Sequence, residues 1–395
     1  MKRFFLYAMM AAGVLASCSQ SENEGATGGV TDGSDVDMAS PINLAVTAPS
    51  VKVNVTRSGG TIGVDDAGTI TNKWSGQTLY VYGCQRKDGK VDLDGTYALS
   101  GLNMQGEKCV VAQTESVSTV TWERGTRYFP RSGIYDFYGY YADDALTNQM
   151  AVENRNGSKV LAGTVAINGS QDLMLAKAVP SIESVPDAVK DKVFSANAAR
   201  AGVQPKLKFE HLLTRFVFKI QGVGDDKPEN VYVQSVAVKS KTTGKLVVVA
   251  ADDEGRNVFF EDTKNDLYLQ ERDGMGGMTA LNPQKYYASK TGETPVTVGE
   301  ALLVAPDDSY IVTVMLKQDV DKDGNPVPED QQIQPYTTTL KPENVTGGAG
   351  TITTFAPSTS YNITIVTNGV KIIELTAELG EWTPGGNIEI NPDEE

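Results

Sequence analysis

The fifteen residues Lys206-Leu207-Lys208-Phe209-Glu210-His211-Leu212-Leu213-Thr214-Arg215-Phe216-Val217-Phe218-Lys219-Ile220 carry the pattern that decides the fold. Leu207, Phe209, His211 and Leu213 occupy one phase of a two-residue period, and Phe216, Phe218 and Ile220 occupy the other. Successive side chains of a strand point to opposite faces, so each set marks a half-buried strand. The phase slips around Thr214-Arg215, where a bulge or strand break would let both sets face a core. His211 sits on the apolar phase, which reads as a core histidine with a satisfied partner, not a catalytic one.

Outward from this stretch the same period recurs. Strand candidates are 78–83, 108–113, 117–122, 134–141 and 172–176 before it, then 231–239, 245–250, 310–318, 336–340 and 361–367 after it. Near the start, Val51, Val53 and Val55 alternate with Lys52, Asn54 and Thr56, before Arg57 and Ser58-Gly59-Gly60. Near the end, Ile373, Leu375, Ala377 and Leu379 alternate, and a short run repeats this at Ile388 and Ile390. Turn clusters such as Lys87-Asp88-Gly89-Lys90 separate the runs. Many short strands with almost no helical period predict an all-β sandwich protein, with one short helix in 186–201. At 395 residues the chain exceeds one ordinary core, which predicts two domains, at 41–203 and 204–395.

The N-terminus reads as an address. Lys2 and Arg3 precede an apolar run from Phe4 to Val14, and Leu15-Ala16-Ser17-Cys18 closes it. The run falls short of the roughly 20 residues that span a bilayer, and its layout is that of a secretory signal. The ending resembles the lipobox of bacterial lipoproteins, so residues 1–17 are read as a leader and Cys18 as the acylated residue. Residues 18–40, rich in Ser, Glu, Gly, Thr and Asp, read as a flexible tether. Without Lys2 and Arg3 the 35 basic residues become 33 against 50 acidic ones, a formal charge of −17. Such a surface repels nucleic acid and anionic headgroups, leaving the lipid as the only expected membrane contact.

Chemistry-bearing motifs are sparse. His211 is the only histidine, which removes the raw material of histidine zinc sites and Ser-His-Asp systems. No G-x-S-x-G occurs, Gly244-Lys245 lacks the rest of a phosphate loop, and Gly274-Met275-Gly276-Gly277 reads as a turn. The chain is therefore read as a non-enzyme with no required cofactor. With Cys18 assigned to lipid, Cys84 and Cys109 are either a disulfide or two buried thiols. Asp319, Asp321, Asp323, Gly324 and Asp330 fall at positions 1, 3, 5, 6 and 12 of a calcium-loop spacing. Strand-like flanks, Pro326 and Pro328 make a solvated hairpin loop the plainer reading beside a weak Ca²⁺ site. In 134–141, Tyr135, Phe137 and Tyr141 are expected to face the core while Tyr138 and Tyr140 face outward, packed across strands or stacking on sugars.

Several of these segments, in order, resemble the fimbrillin family of Bacteroidales type V pili. They are the lipobox, Thr56-Arg57, Trp74-Ser75-Gly76 with Leu79-Tyr80-Val81-Tyr82-Gly83, and Tyr138-Gly139-Tyr140-Tyr141. Later come Asp172-Leu173-Met174-Leu175-Ala176, Phe209-Glu210-His211-Leu212-Leu213, Tyr361-Asn362-Ile363-Thr364-Ile365 and Gly380-Glu381-Trp382. The resemblance implies two tandem transthyretin-like, Greek-key β-sandwich domains and a lipid-anchored precursor exported to the outer membrane and cell surface. It implies that an arginine-specific protease, cutting after Arg57, removes the first strand, here Val51, Val53 and Val55. Donor-strand exchange with other fimbrial subunits would follow, with Ile373, Leu375, Ala377 and Leu379, or Ile388 and Ile390, as candidate donors. A host or bacterial surface receptor is the implied target of adhesion. The competing expectation is a surface lipoprotein that captures glycans.

Overall fold

The computed structural model describes residues 36–50, 63–64, 70–71, 74, 76–93, 106–112, 117–224, 230–251, 255–273, 275, 277–346 and 352–380. The leader with Cys18, the valines Val51, Val53 and Val55, Arg57, Ile388 and Ile390 lie outside the described residues. The first strands are β1 (Val36–Pro41), β2 (Ala45–Ser50), β3 (Gly63–Val64), β4 (Ile70–Thr71), β5 (Thr78–Lys87), β6 (Lys90–Val91) and β7 (Glu107–Val111). Next come β8 (Val117–Trp122), β9 (Tyr128–Pro130), β10 (Tyr135–Tyr141), β11 (Ala151–Arg155), β12 (Ser158–Ala166) and β13 (Met174–Pro180). A 3-10 turn at Asp187–Lys192 and the helix α1 (Ala196–Arg200) follow, within the stretch expected to hold a short helix. The chain continues with β14 (Pro205–His211), β15 (Thr214–Gly222), β16 (Val231–Lys241), β17 (Thr243–Val249), β18 (Val258–Phe260), β19 (Lys264–Tyr268), β20 (Gln270–Arg272) and β21 (Met278–Ala280). It ends in β22 (Val296–Val304), β23 (Tyr310–Gln318), β24 (Ile333–Leu340), β25 (Val345–Thr346), β26 (Thr359–Asn368) and β27 (Lys371–Gly380). The protein is all-β, as the alternation predicts.

In the first half, β10, β13, β14, β2, β8, β7 and β5 pair in that order, and β5 pairs back onto β10 to close a ring. Closure leaves none of these strands as a bare edge. The ring encloses Val46, Leu79, Val81, Cys109, Val111, Phe137, Met174, Ala176, Leu207 and Phe209. Space inside is tight at Gly139, where a Cβ would come within 2.9 Å of both Leu207 and Phe209. Hairpin geometry follows local sequence: Asp88-Gly89 and Asn156-Gly157 both place two residues at positive φ, the pairing that a two-residue turn between twisted strands demands.

In the second half two sheets face each other, β22-β15-β26-β27-β25 and β19-β16-β23-β24. Phe216, Phe218, Ile220, Ile363 and Ile365 from one meet Val236, Val238, Val312, Val314 and Leu316 from the other in a single cluster. That cluster also takes in Tyr82, Cys84, Tyr138, Tyr140 and Leu175 from the outer face of the ring. A further sheet, β11-β12-β17-β18, joins strands from both sides of residue 203. Residues 205–211 likewise bond to β13 and β2 in the ring. The phase slip in the opening stretch is thus a strand break: Leu207 and Phe209 fill the ring, and after Leu212-Leu213 the same chain fills the sandwich.

Two expectations are corrected. Residues 36–40, assigned to the tether by composition, belong to β1, which pairs with β9 and buries Ser40. Tyr138 and Tyr140 do not face solvent; each is 1% exposed, because the outer face of the ring is covered by the sandwich. Of the two states left open for Cys84 and Cys109, the structure shows buried free thiols, which lie in different clusters on opposite faces of the ring wall. Burial pushes the Cys109 thiol up to about 12 and the Cys84 thiol further. A thiolate is the reactive form, so at pH 8 neither thiol is expected to take an alkylating reagent in the folded protein. Both should react once the chain is unfolded in guanidinium, and a reductant should leave the melting temperature unchanged. Peptide mapping of the alkylated protein checks this.

Candidate functional site

The functional candidate is the slot that β2 occupies. On one side Ala45, Val46 and Thr47 face Thr119, Ser118 and Val117 of antiparallel β8. On the other they run parallel to Lys206, Leu207 and Lys208 of β14. Upstream, Ile42, Leu44 and Val46 alternate into the ring core at 2%, 3% and 0% exposure. Burying each such side chain contributes roughly 1.5–3 kcal/mol.

Two buried tryptophans hold this segment by its backbone. The Trp74 Nε1–H donates to the Thr47 carbonyl at 2.8 Å, and the Trp122 Nε1–H to the Ile42 carbonyl at 3.1 Å. Trp74 is 1% exposed and packs edge-on against Phe209 and Tyr141. An indole N–H is a donor only, so withdrawing the segment would leave two buried donors without these acceptors, at about 1–3 kcal/mol each. Because both bonds go to main-chain carbonyls, the slot reads an extended backbone with alternating apolar side chains instead of a specific sequence.

The entry to β2 is fastened too. Ser40 Oγ donates to the Ala196 carbonyl, Gln204 Nε2 donates to the Pro41 carbonyl at 3.2 Å, and Asn43 N donates to Gln204 Oε1 at 3.1 Å. Arg200, at the end of α1, pairs with Asp37. Ser195 caps α1 by accepting from Ala198 N at 3.3 Å, which satisfies one of the helix's unpaired N-terminal donors.

The remaining predicted site residues fall elsewhere. Ile373, Leu375, Ala377 and Leu379 lie in β27, which pairs with β26 from Ser360↔Gly380 to Asn368↔Lys371. Ala377 is buried in the sandwich core, with Leu375 and Leu379 packed on it. His211 is buried and its Nδ1 lies 2.8 Å from Asp172 Oδ2, the core histidine that its phase predicted. Sequence reading missed Ile42, Leu44 and Val46, although their spacing was available; Pro41 and Pro49 on either side masked a strand.

The structure does not gather the calcium-spaced carboxylates. Asp319 accepts from the Tyr232 hydroxyl at 2.8 Å and pairs with Lys317 at 2.9 Å. Asp321 accepts the backbone N–H groups of Asn325 and Asp323, and the Asn325 N–H bond holds its carboxyl below the usual range. Asp323 pairs with Lys322, and Asp330 is exposed on a 3-10 turn. Among the described residues no cluster of His, Cys, Asp or Glu could hold a metal.

A family profile described as fimbrillin-like matches residues 90–382. No curated protein matches the chain. Among solved structures, a candidate cell adhesion protein from Bacteroides uniformis is similar at 16% identity, covering 87% of this chain and 99% of that one, with a TM-score of 0.45. A second, from Bacteroides ovatus, is similar at 12% identity, covering 87% and 98%, with a TM-score of 0.46. The fimbrial anchor protein of Porphyromonas gingivalis is similar at 11% identity, covering 86% and 95%, with a TM-score of 0.34.

Two outcomes test the site. Leu44→Ala should destabilise the protein by about 2–5 kcal/mol, the range for truncating a buried leucine, measured by denaturant unfolding; a change below about 0.5 kcal/mol would show that the slot is not packed. Melting curves in millimolar calcium chloride and in chelator should coincide, and a rise of several degrees with calcium would show that the Asp319–Asp330 loop rearranges around the ion.

Proposed function

This chain belongs to the fimbrillin-like family, and on that premise we propose that it is a structural subunit of a cell-surface fimbria, serving adhesion. It is exported as a lipoprotein acylated at Cys18 and reaches the outer membrane and cell surface. An arginine-specific protease then cuts after Arg57 and releases the segment ending there, which carries the run Val51, Val53 and Val55, so that β1 parts from β9 and β2 leaves the ring. The single observation that supports this reading is the slot. Residues 42–47, which run into β2, are held by main-chain ladders, two indole donors to carbonyls and three alternating apolar side chains, all of which a strand from another subunit can reproduce.

Emptying the slot bares the facing edges of β14 and β8 and the apolar floor between them. Such an edge templates an incoming strand, and strand addition from a second subunit fills it. Of the two candidate donors, β27 is the more costly to release. Its ladder to β26 and the buried Ala377 would be lost from the sandwich core. Ile388 and Ile390 carry the same alternation beyond that strand in the sequence, and we assign the donor role to them.

Wild-type precursor treated with an arginine-specific protease should form fibres visible by electron microscopy, while Arg57→Ala should fold, reach the surface and remain monomeric. Assembly of Arg57→Ala at the wild-type level would overturn the processing step. Cys18→Ser should shift the protein out of the membrane fraction, since each buried CH₂ of an acyl chain contributes about 0.8 kcal/mol and the acidic surface adds no attraction to anionic lipid. Normal processing and unchanged membrane association would contradict the anchor.

A further inference from the structure

Outside the slot, the ring carries a concave groove of about 680 Å³ between β5 and the segment Ala142–Gln149, a size that suits a small ligand. We propose that this groove binds a neutral saccharide, independently of whether the protein polymerises.

The floor is aromatic. Tyr80 and Tyr140 stack with ring centroids 5.1 Å apart and planes 14° from parallel. Tyr140 is 1% exposed, so it backs the half-buried Tyr80 as a fixed support. Rigid tyrosine rings offer apolar contact at small entropic cost, which suits the C–H faces of a pyranose.

The rim is polar and rich in acceptors. Tyr141 gives its hydroxyl to Asp143 Oδ1 at 2.8 Å, which orients the carboxylate. Asn148 and Gln149 add carboxamides, and Gln149 is exposed. The segment is preformed, because Asn148 Oδ1 accepts Thr164 N at 2.6 Å and Thr147 N donates to the Thr164 carbonyl at 2.9 Å. A ligand pays little ordering cost at such a site.

Charge selects among ligands. Among the described residues no lysine or arginine lines the groove. The nearest cation, Lys108, lies opposite Tyr80 across the β5–β7 ladder and is paired with Glu123 at 2.7 Å, and the chain carries a formal charge of −15. Phosphorylated, sulfated and uronic sugars would have to compete with Glu123 for that one cation. Proline-rich peptides also dock on tyrosines, but proline has no N–H to donate, and the Tyr141 hydroxyl that could meet a peptide carbonyl is already given to Asp143. A sugar hydroxyl both donates and accepts, which matches a carboxylate and carboxamides together.

The test is a panel of immobilised neutral and anionic oligosaccharides and proline-rich peptides, probed with the full chain and three variants, followed by titration calorimetry on the best neutral ligand. Wild type should bind neutral oligosaccharides. Tyr80→Leu, which removes the ring but keeps apolar volume, should weaken binding at least tenfold. Gln149→Ala, on an exposed side chain, should weaken it severalfold with an unchanged melting temperature, which keeps the test valid if Tyr80→Leu folds poorly. Asp143→Asn, at a φ of 46° that asparagine tolerates, should retain the preference for neutral sugars. No binding to the panel, binding confined to anionic sugars or to the peptides, or neutral-sugar binding that survives both Tyr80→Leu and Gln149→Ala would each overturn the assignment.

Discussion

The structure depends on a wall that is buried on both faces. Within β5, β10 and β13, one set of side chains, Leu79, Val81, Phe137, Met174 and Ala176, fills the ring. The alternate set, Tyr82, Cys84, Tyr138, Tyr140 and Leu175, packs against the sandwich. Neither half can move away from this wall without exposing large aromatic surfaces, at roughly 1.5–3 kcal/mol per side chain. β2 lies across the ring from the wall, between β14 and β8. There the outward-facing residues Lys208, Glu210 and Thr119 are exposed. The strand proposed to leave is thus one whose departure spares the surface that joins the two halves.

A small polar network marks the seam where the chain crosses from ring to sandwich. His211 meets Asp172, Ser358 Oγ donates to the His211 carbonyl at 2.7 Å, and Arg215 Nη1 donates to Ser360 Oγ at 2.9 Å. Burial lowers the Arg215 guanidinium to about 10, against the opposing pull of Glu300 and Asp172. Buried polar groups of this kind add little net stability, yet breaking one leaves an uncompensated charge or donor. Their position at Leu212-Leu213 ties the direction of β15 to that of β14, so the seam sets how the two halves are joined.

Much of the fold was legible because half-buried strands write their burial into a two-residue period. The runs at 78–83, 117–122, 310–318 and 361–367 all lie within strands of the structure, and the slip at Thr214-Arg215 marked the passage between cores. What alternation could not reveal were strands buried on both faces. In β12, Val160, Leu161 and Ala162 are all buried, and in β22 so are Leu302, Leu303 and Val304, which erases the period. The outward phase of 134–141 failed for the same reason, since burial of Tyr138 and Tyr140 depends on a sandwich formed by residues far along the chain. The slot was missed because Ile42, Leu44 and Val46 present only three alternations between prolines. Their significance comes from Trp74 and Trp122, whose reach to the Thr47 and Ile42 carbonyls is a tertiary fact.

The central claim, that β2 must vacate its slot for subunits to join, is tested most directly by tethering it there. Ala45 and Thr119 face each other across the β2–β8 ladder, so the pair Ala45→Cys and Thr119→Cys can bond the strand to its neighbour. Protease-treated protein carrying this bond should stay monomeric by light scattering under oxidising conditions and assemble into fibres once the bond is reduced. Fibre growth at the same rate in the oxidised and reduced protein would contradict the account.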